Sequence, residues 1–329
     1  MTQSAAEVPV HTMQRKAALV NAAVLDHAGA VDVKPIENFD LGKTIFSTLQ
    51  GALPRFVIRT RIAKHVNWQD QPADRIEGKY QQLSEAQPLP AVSEELLRFL
   101  VEQCDFDVEH ADGSFLDHLY FCYEYTHLHY PSQSAVVMLL HSILGTGTNT
   151  FAMETEKMPA LQALMTESEW IHVQAFPSVL RLLYDLPLRR ELWNNIERLD
   201  RLKSVSMHRV IDNEPMELSA EQLWVQLNYQ LIHLADFLPA ANWQKHANDT
   251  AFIIFRDLFA LLQTSGRLKA CLGYAEASAQ AGLTGEQTGL GGKIVSLIPV
   301  VLSEKMAAKS VRRFSSQIGH SMDYMIEWS

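Results

Sequence analysis

Apolar residues recur along this chain at the three- and four-residue spacing of a helix face, and strict alternation of apolar and polar residues is scarce. The helical pattern is clearest in LLRFLVEQC, FLDHLYFCYEY and AEQLWVQLNYQLIHLADFL, which begin at residues 96, 115 and 220. A chain of 329 residues, 47% of them hydrophobic, is long enough to bury a large core. We therefore expect an all-α protein built around a helical bundle.

Three regions follow from where this pattern is densest. The polar segment 69–92 contains three prolines, which is typical of a linker or a long loop. The segment HRVIDNEPMEL (208–218) is also predicted to be a loop, and residues 301–329 are predicted to form a final helix. The predicted regions are an N-terminal helical extension and linker over 1–90, a helical core over 91–245, and a C-terminal helical extension over 246–329.

Composition limits the partners. The formal net charge of −10 gives no overall attraction to nucleic acid or to anionic lipid, so neither is expected as a partner. The three cysteines are far apart and form no CxxC pair, which favours a reducing, cytoplasmic location. The N-terminal residues lack the apolar core of a signal peptide, and no apolar run approaches the ~20 residues of a membrane span. We expect a small-molecule substrate or ligand, and a homodimer is compatible with the sequence.

Two histidines and one aspartate are predicted on apolar helices, where polar side chains are seldom buried without a partner. His118 lies early in one helix, His141 follows the apolar run AVVMLL, and Asp236 lies late in the helix that begins near residue 220. All three could be metal ligands. Alternatively, His118 is a hydrogen-bonded core histidine and His141 an imidazole at a helix C-terminus. Asp236 could instead form an ion pair with one of three arginines, Arg181, Arg189 or Arg190.

The stretches SFLDHLYFCYEY, MLLHSILGTGT and LSAEQLWVQLNYQLIHLADFL together resemble the HD-domain metal-dependent phosphohydrolase superfamily. Within it they look closest to an uncharacterised bacterial group of HD-like domains. The resemblance covers about residues 93–240. It implies a helical bundle whose central helices direct a histidine, a His-Asp pair and a distant aspartate at one or two metal ions. In this sequence the implied ligands are His118, His141 and Asp236.

The chain departs from the family at the residue after the second histidine. That position is Ser142, where the superfamily has the aspartate of the His-Asp pair. A neutral hydroxyl is a poor ligand for a divalent cation, so a two-metal site is not expected. His118, His141 and Asp236 would form a set of two imidazoles and one carboxylate. Non-haem Fe(II) oxygenases use that set, and a Zn²⁺ hydrolase can use a similar one.

The sequence therefore predicts a metal-dependent enzyme with Fe, Mn or Zn that acts on a small polar or anionic metabolite, either as an oxygenase or as a hydrolase. The alternative is a degenerate HD-like scaffold that serves as a ligand-binding or protein-interaction module. Four side chains are further candidates for binding the metal or orienting its ligands: Tyr125, Ser142, His172 and His233. No nucleotide cofactor is expected, because neither the GTGTNT turn (145–150) nor the glycine-rich loop at 282–293 has the spacing of a P-loop.

Overall fold

The computed structural model describes residues 13–20, 30–33, 52–61, 66–68, 70–104, 113–146, 153–240, 248–272 and 290–329. Within these ranges the protein is mostly helical, which confirms the all-α prediction. The α-helices are α1 Met13–Leu19, α2 Ala52–Arg61, α3 Asp70–Ala86, α4 Glu94–Gln103, α5 Gly113–His129, α6 Val136–Leu139, α7 Met158–Ala163, α8 Glu167–Asp185, α9 Pro187–Asn194, α10 Ala220–Ala240, α11 Thr250–Thr264, α12 Leu290–Ser296 and α13 Val300–Gln317. Two short 3-10 helices, Thr155–Lys157 and Ile196–Arg201, lie beside α7 and α9. No helix of the described ranges has the length and apolarity that crossing a membrane requires.

The strands are short and antiparallel. They are β1 Ala30–Val33, β2 Val66–Trp68, β3 Leu202–His208, β4 Pro215–Ser219 and β5 Met325–Trp328. β1 pairs with β2, and β3 is the centre of a three-stranded sheet with β4 on one side and β5 on the other. Ser204 lies opposite Ser219 of β4, and Val205 lies opposite Ile326 of β5.

The long helix α10 is the centre of the bundle. It packs against α5, α8, α11 and α1, so apolar residues on several of its faces are buried. A capping box opens the helix: the backbone N–H of Gln222 donates to Ser219 Oγ over 3.2 Å, and the backbone N–H of Ser219 donates to Gln222 Oε1 over 2.8 Å. The start of α10 is therefore fixed by local chemistry, which sets the position of every side chain further along it.

The prediction of a linker or long loop at 69–92 is wrong for most of that segment, because residues 70–86 form α3. Pro72 lies in the first turn, where a missing backbone N–H costs nothing, and the other two prolines follow the end of the helix. Ala73 and Ile76 are buried, which is the spacing of a helix face. The helical pattern was present in the sequence but was outweighed by the prolines.

Three further boundaries differ from the predictions. The segment 208–218 contains the turn between β3 and β4 and most of β4, a strand too short to produce a clear alternation. The predicted helix at 301–329 ends at Gln317, and Gly319, with φ 74°, turns the chain towards β5. The apolar run before His141 forms only the four-residue helix α6, so His141 lies in the turn after it.

The segments outside the predicted core pack on it. α1 contacts α3 and α10, while α13 contacts α8 and α11. One continuous hydrophobic cluster runs from Ala17 to Leu272 and includes residues of α1, α5, α8 and α10. The division at 1–90, 91–245 and 246–329 stays a prediction.

Candidate metal centre

Three histidines from three separate segments meet in the core. His118 comes from the first half of α5, His141 from the turn after α6, and His233 from α10. Their side chains are buried, with 7%, 1% and 8% of their surface exposed. Each offers one ring nitrogen, and these nitrogens lie within 4.8 Å of one another. We call His118, His141 and His233 the histidine cluster. It could hold a metal ion, because imidazole nitrogens are ligands of Zn, Fe, Cu and Ni ions.

Asp236 lies at the edge of this cluster, one turn after His233 on α10. Its Oδ2 is 2.7 Å from Nδ1 of His118, so the carboxylate accepts the Nδ1–H of that ring. This contact fixes the tautomer of His118 and leaves its Nε2 to face the cluster. A carboxylate that contacts a histidine in this way holds the ring in a fixed orientation, as is common for histidines that bind metal ions.

His141 is oriented in the same manner by a backbone carbonyl. Its Nδ1 lies 2.6 Å from the carbonyl oxygen of Met138, which has no hydrogen to donate. The ring must therefore donate its Nδ1–H, and the lone pair of a neutral His141 is on Nε2. The short α6 explains the contact, because its last carbonyls are free to accept from the turn that follows.

The two Nε2 atoms face each other at 3.2 Å. If both rings are neutral, both Nε2 atoms carry a lone pair, and two lone pairs at that distance repel. A cation or an extra proton between the two atoms removes the repulsion. Two nitrogens bound to a tetrahedral Zn²⁺ at about 2.0–2.1 Å lie roughly 3.3 Å apart, so the observed separation suits a shared metal ion.

The electrostatics of the cluster keep the rings of His141 and His233 neutral. Burial lowers the pKa of His141 to about 3, and the neighbouring charge of a protonated His118 lowers it further. Burial, followed by the charges of His141 and His118, holds the pKa of His233 well below its ordinary value. Neutral imidazoles are the form that binds metal ions, so no proton has to be removed from His141 or His233 near neutral pH.

Apolar side chains surround the cluster. The ring of Phe176 on α8 lies with its centroid 4.7 Å from that of His141 and 5.3 Å from that of His233. Cys122, one turn after His118 on α5, has its Sγ 3.8 Å from Nδ1 of His118. A low-polarity wall of this kind strengthens the attraction between a bound cation and its ligands.

The other predicted candidates lie elsewhere in the described part of the chain. The hydroxyl of Tyr125 donates to the carbonyl of Cys271 over 3.4 Å, and Nδ1 of His172 contacts Gln226 Oε1 at 3.0 Å. Ser142 is buried next to His141, and its backbone carbonyl accepts the N–H of Gly145. None of the three side chains belongs to the histidine cluster.

Two of the three arginines that the sequence offers as partners of Asp236 bind other groups. Arg181 donates to the carbonyl of Thr146 and to Ser315 Oγ. Arg189 pairs with Asp257 and Glu304. Asp236 instead contacts the ring of His118, with 2.7 Å between Oδ2 and Nδ1.

The sequence offers His233 either as an additional metal ligand or as a residue that orients Asp236, and in the structure it is the third member of the cluster. His233 and Asp236 are three residues apart on α10 and share one face of it. Their spacing in the sequence does not tell which of the two side chains joins His118 and His141 in the cluster and which contacts the ring of His118 from outside it. The signal that could have found His233 is its position on that face of an apolar helix.

Similarity to known proteins does not place this chain in a family. No family model, no curated protein and no solved structure matches it. A function has to be inferred from the chemistry of the histidine cluster and its surroundings.

Proposed function

We propose that this protein is a metal-dependent enzyme with a single divalent cation held by His118, His141 and His233. The observation that carries the proposal is the pair of Nε2 atoms of His118 and His141, 3.2 Å apart, each in a ring whose Nδ1–H is donated to another group. Both rings thus present their lone pairs to one point, and His233 adds a third nitrogen there.

Each side chain has a distinct part in this centre. Asp236 holds the ring of His118, and the carbonyl of Met138 holds the ring of His141, so both ligands are oriented before any cation arrives. Phe176 covers His141 and His233 and keeps water away from them. When bound by three neutral imidazoles, a divalent cation keeps an open coordination position and lowers the pKa of water there to about 7.

The ligand set favours hydrolysis over oxygenation. The oxygenase alternative needs a carboxylate as a ligand, but Oδ2 of Asp236 contacts Nδ1 of His118. Three uncharged ligands also leave the positive charge of the cation unneutralised, which suits a small polar or anionic substrate such as a phosphoester. We propose Zn²⁺ first, with Fe and Mn as the other candidates.

We also propose that the bundle is HD-like. The support is positional: the two histidines and the aspartate named by the resemblance, His118, His141 and Asp236, lie together although they come from three separate segments. Ser142, in place of the aspartate of the His-Asp pair, fits one cation rather than two.

A second candidate is a metal-binding scaffold without turnover. The observation that favours it is burial, since every member of the cluster and Asp236 are less than a tenth exposed. Catalytic centres need access for a substrate, whereas structural sites are closed.

Elemental analysis of the purified protein tests the proposal. We expect close to one equivalent of metal in the wild type and its loss in His141→Gln. His172→Gln is the matched control, because it removes another buried histidine outside the cluster and should keep the metal. A wild-type protein without metal, whose melting temperature does not respond to added Zn²⁺, Fe²⁺ or Mn²⁺, would contradict the proposal. An extra proton between His118 and His141 would then explain their contact.

A second measurement separates the enzyme from the scaffold. The metal-loaded protein is assayed on a panel of small phosphoesters, with His141→Gln as the blank. Hydrolysis that depends on the metal supports the enzyme. Stoichiometric metal without hydrolysis of any ester supports the scaffold.

A further inference from the structure

Exposed apolar side chains are concentrated on one part of the described surface. Eleven large hydrophobic residues are exposed in the described ranges, and eight of them belong to α2, α12 or the segment from the end of α12 into the first turn of α13. These eight form what we call the apolar face: Leu53, Phe56, Leu290, Ile294, Leu297, Val300, Val301 and Leu302. Concentrated apolar exposure of this kind usually marks a binding surface.

The elements that carry this face touch one another. A Cβ atom added at Gly291 of α12 would lie 3.1 Å from Cγ2 of Thr60 and 3.3 Å from the ring of Phe56, both on α2. The face is therefore one surface and not two separate patches. Leu297, in the turn between α12 and α13, is its most exposed member at 80%.

Positive charge adjoins the apolar face along α13. Val301, Lys305, Lys309 and Arg312 follow one another at spacings of four, four and three residues, so they share one side of the helix. Lys305 and Lys309 are exposed, and Arg312 stays 61% exposed while it pairs with Asp185. The one acidic residue of α13, Glu304, is buried and bound to Arg189. This side of α13 therefore presents cations only.

We propose that the apolar face and the cationic side of α13 bind the surface of a membrane that contains anionic phospholipid. The two parts match the two layers of a membrane interface. Exposed leucines, valines and Ile294 can enter the boundary between headgroups and acyl chains, while Lys305 and Lys309 meet the lipid phosphates. A run of cations alone would serve any polyanion, but the adjoining apolar face selects lipid.

The proposal departs from what the net charge predicts. A formal charge of −10 is a property of the whole chain, whereas lipid attraction acts over about a Debye length, roughly 10 Å. The local charge of α13 therefore governs contact at this face. The proposal is independent of the histidine cluster, so either can fail without the other.

The test is flotation of the full-length protein with lipid vesicles. One set contains phosphatidylcholine alone, and the other contains equal parts of phosphatidylcholine and phosphatidylglycerol. We expect the wild type to float with the anionic vesicles and to do so less at high salt. The apolar variant is Leu290→Ser with Leu297→Ser, and its control is Val101→Ser with Met325→Ser, two exposed apolar residues outside the face.

The charge variant is Lys305→Glu with Lys309→Glu, and its control is Lys79→Glu, an exposed lysine on α3. Loss of two surface cations should lower binding to anionic vesicles by about 30-fold or more, while the control changes little. All substituted side chains are exposed, so we expect the variants to fold. An unchanged melting temperature checks this.

Three outcomes would overturn the proposal. The first is that the protein floats with neither kind of vesicle. The second is that the variants and their controls lose vesicle binding equally. The third is that the protein binds no vesicles but associates with itself, and that the apolar variant abolishes this association. The last would identify the face as a contact between copies of this chain.

Discussion

Arg189 and the histidine cluster are both buried polar groups, but their charges are arranged in opposite ways. Arg189 donates from Nη1 to Asp257 over 2.8 Å and from Nη2 to Glu304 over 3.0 Å, while its Nε donates to the carbonyl of Leu183. One cation is matched there by two carboxylates. In the histidine cluster one carboxylate contacts one of three imidazoles, and the Nε2 atoms of two of the rings face each other.

The difference separates a structural cluster from a candidate functional one. The Arg189 group needs no further ligand, since each of the three guanidinium nitrogens donates to an acceptor of the protein. The His118–His141 pair becomes favourable only when a cation or a proton enters it. A buried polar group whose members present the same kind of atom to one another is therefore a better pointer to a ligand than burial or charge alone.

The largest expected effect is on the Arg189 group. Arg189→Met removes the guanidinium and leaves the buried Glu304 and the partly buried Asp257 without that partner. Because an uncompensated buried charge is costly, we expect a loss of about 3–5 kcal/mol in the free energy of unfolding. Chemical denaturation measures it, with the exposed neighbour Arg190→Met as the control. A loss similar to that of the control would contradict the proposed balance of charges.

A buried histidine outside both groups tests the effect of burying a neutral ring. Nε2–H of His320 donates to the carbonyl of His208 over 3.0 Å, and burial, with smaller contributions from the charges of Arg181 and His208, lowers the pKa of His320 to about 4. The folded pKa is below the ordinary 6.5, so His320 contributes its full stability above pH 6.5 and loses it as the pH falls towards 4.

We expect this histidine to account for at most about 3 kcal/mol of acid destabilisation. Unfolding curves at pH 7 and pH 4.5 (roughly the two sides of the shift) should differ less in His320→Gln than in the wild type. An equal pH dependence in both proteins would show that His320 does not titrate in this way.

Added metal should stabilise the protein through the histidine cluster. At a free concentration about 100 times its Kd, a cation that binds only the folded state adds about 2.7 kcal/mol. Thermal melting with and without Zn²⁺ should show this shift in the wild type and in His172→Gln, but not in His233→Gln. A shift of the same size in His233→Gln would mean that the metal binds elsewhere.

The smallest expected effect concerns the carboxylate that orients His118. Asp236→Asn keeps the shape of the side chain but removes its charge, and loss of such an orienting group costs about 10- to 100-fold in metal affinity. Competition with a coloured chelator measures the affinity. Asp257→Asn, which alters the Arg189 group instead, should leave metal affinity unchanged; if it lowers the affinity equally, Asp236 has no special role.

Local features of this fold could be predicted from sequence. The Ser93 cap of α4, with Leu96 N–H donating to Ser93 Oγ over 3.1 Å, and the Ser219–Gln222 box both depend on residues within one turn. Helix α3 could also have been found from Ala73 and Ile76, had the prolines been weighed by their positions. Short strands such as β5 depend on pairing with β3 far away in the chain, which no local pattern reveals.

The site could be predicted in part. Polar rings on apolar helices need partners, which marks His118 and His141 in the sequence, and in the structure the two rings lie together. Two side chains of α10 have different roles: Asp236 contacts His118, and His233 joins the cluster. Which of them does which depends on the rotation of α10 about its own axis relative to α5 and α6. Such a rotation is set by packing between helices about 80 or more residues apart in the chain, so it cannot be inferred from spacing along one helix.

The position of His233 and Asp236 on a single helix limits how the chain can change its length. Each residue of an α-helix turns it by about 100°, so one amino acid inserted in α10 between Ser219 and His233 would rotate both side chains away from His118. A deletion there would do the same in the opposite direction. The turn between β3 and β4 lies before the Ser219 cap, and it can gain or lose residues without turning α10. We therefore expect relatives of this protein to differ in length at 209–214 and to keep a constant count of residues from Ser219 to Asp236.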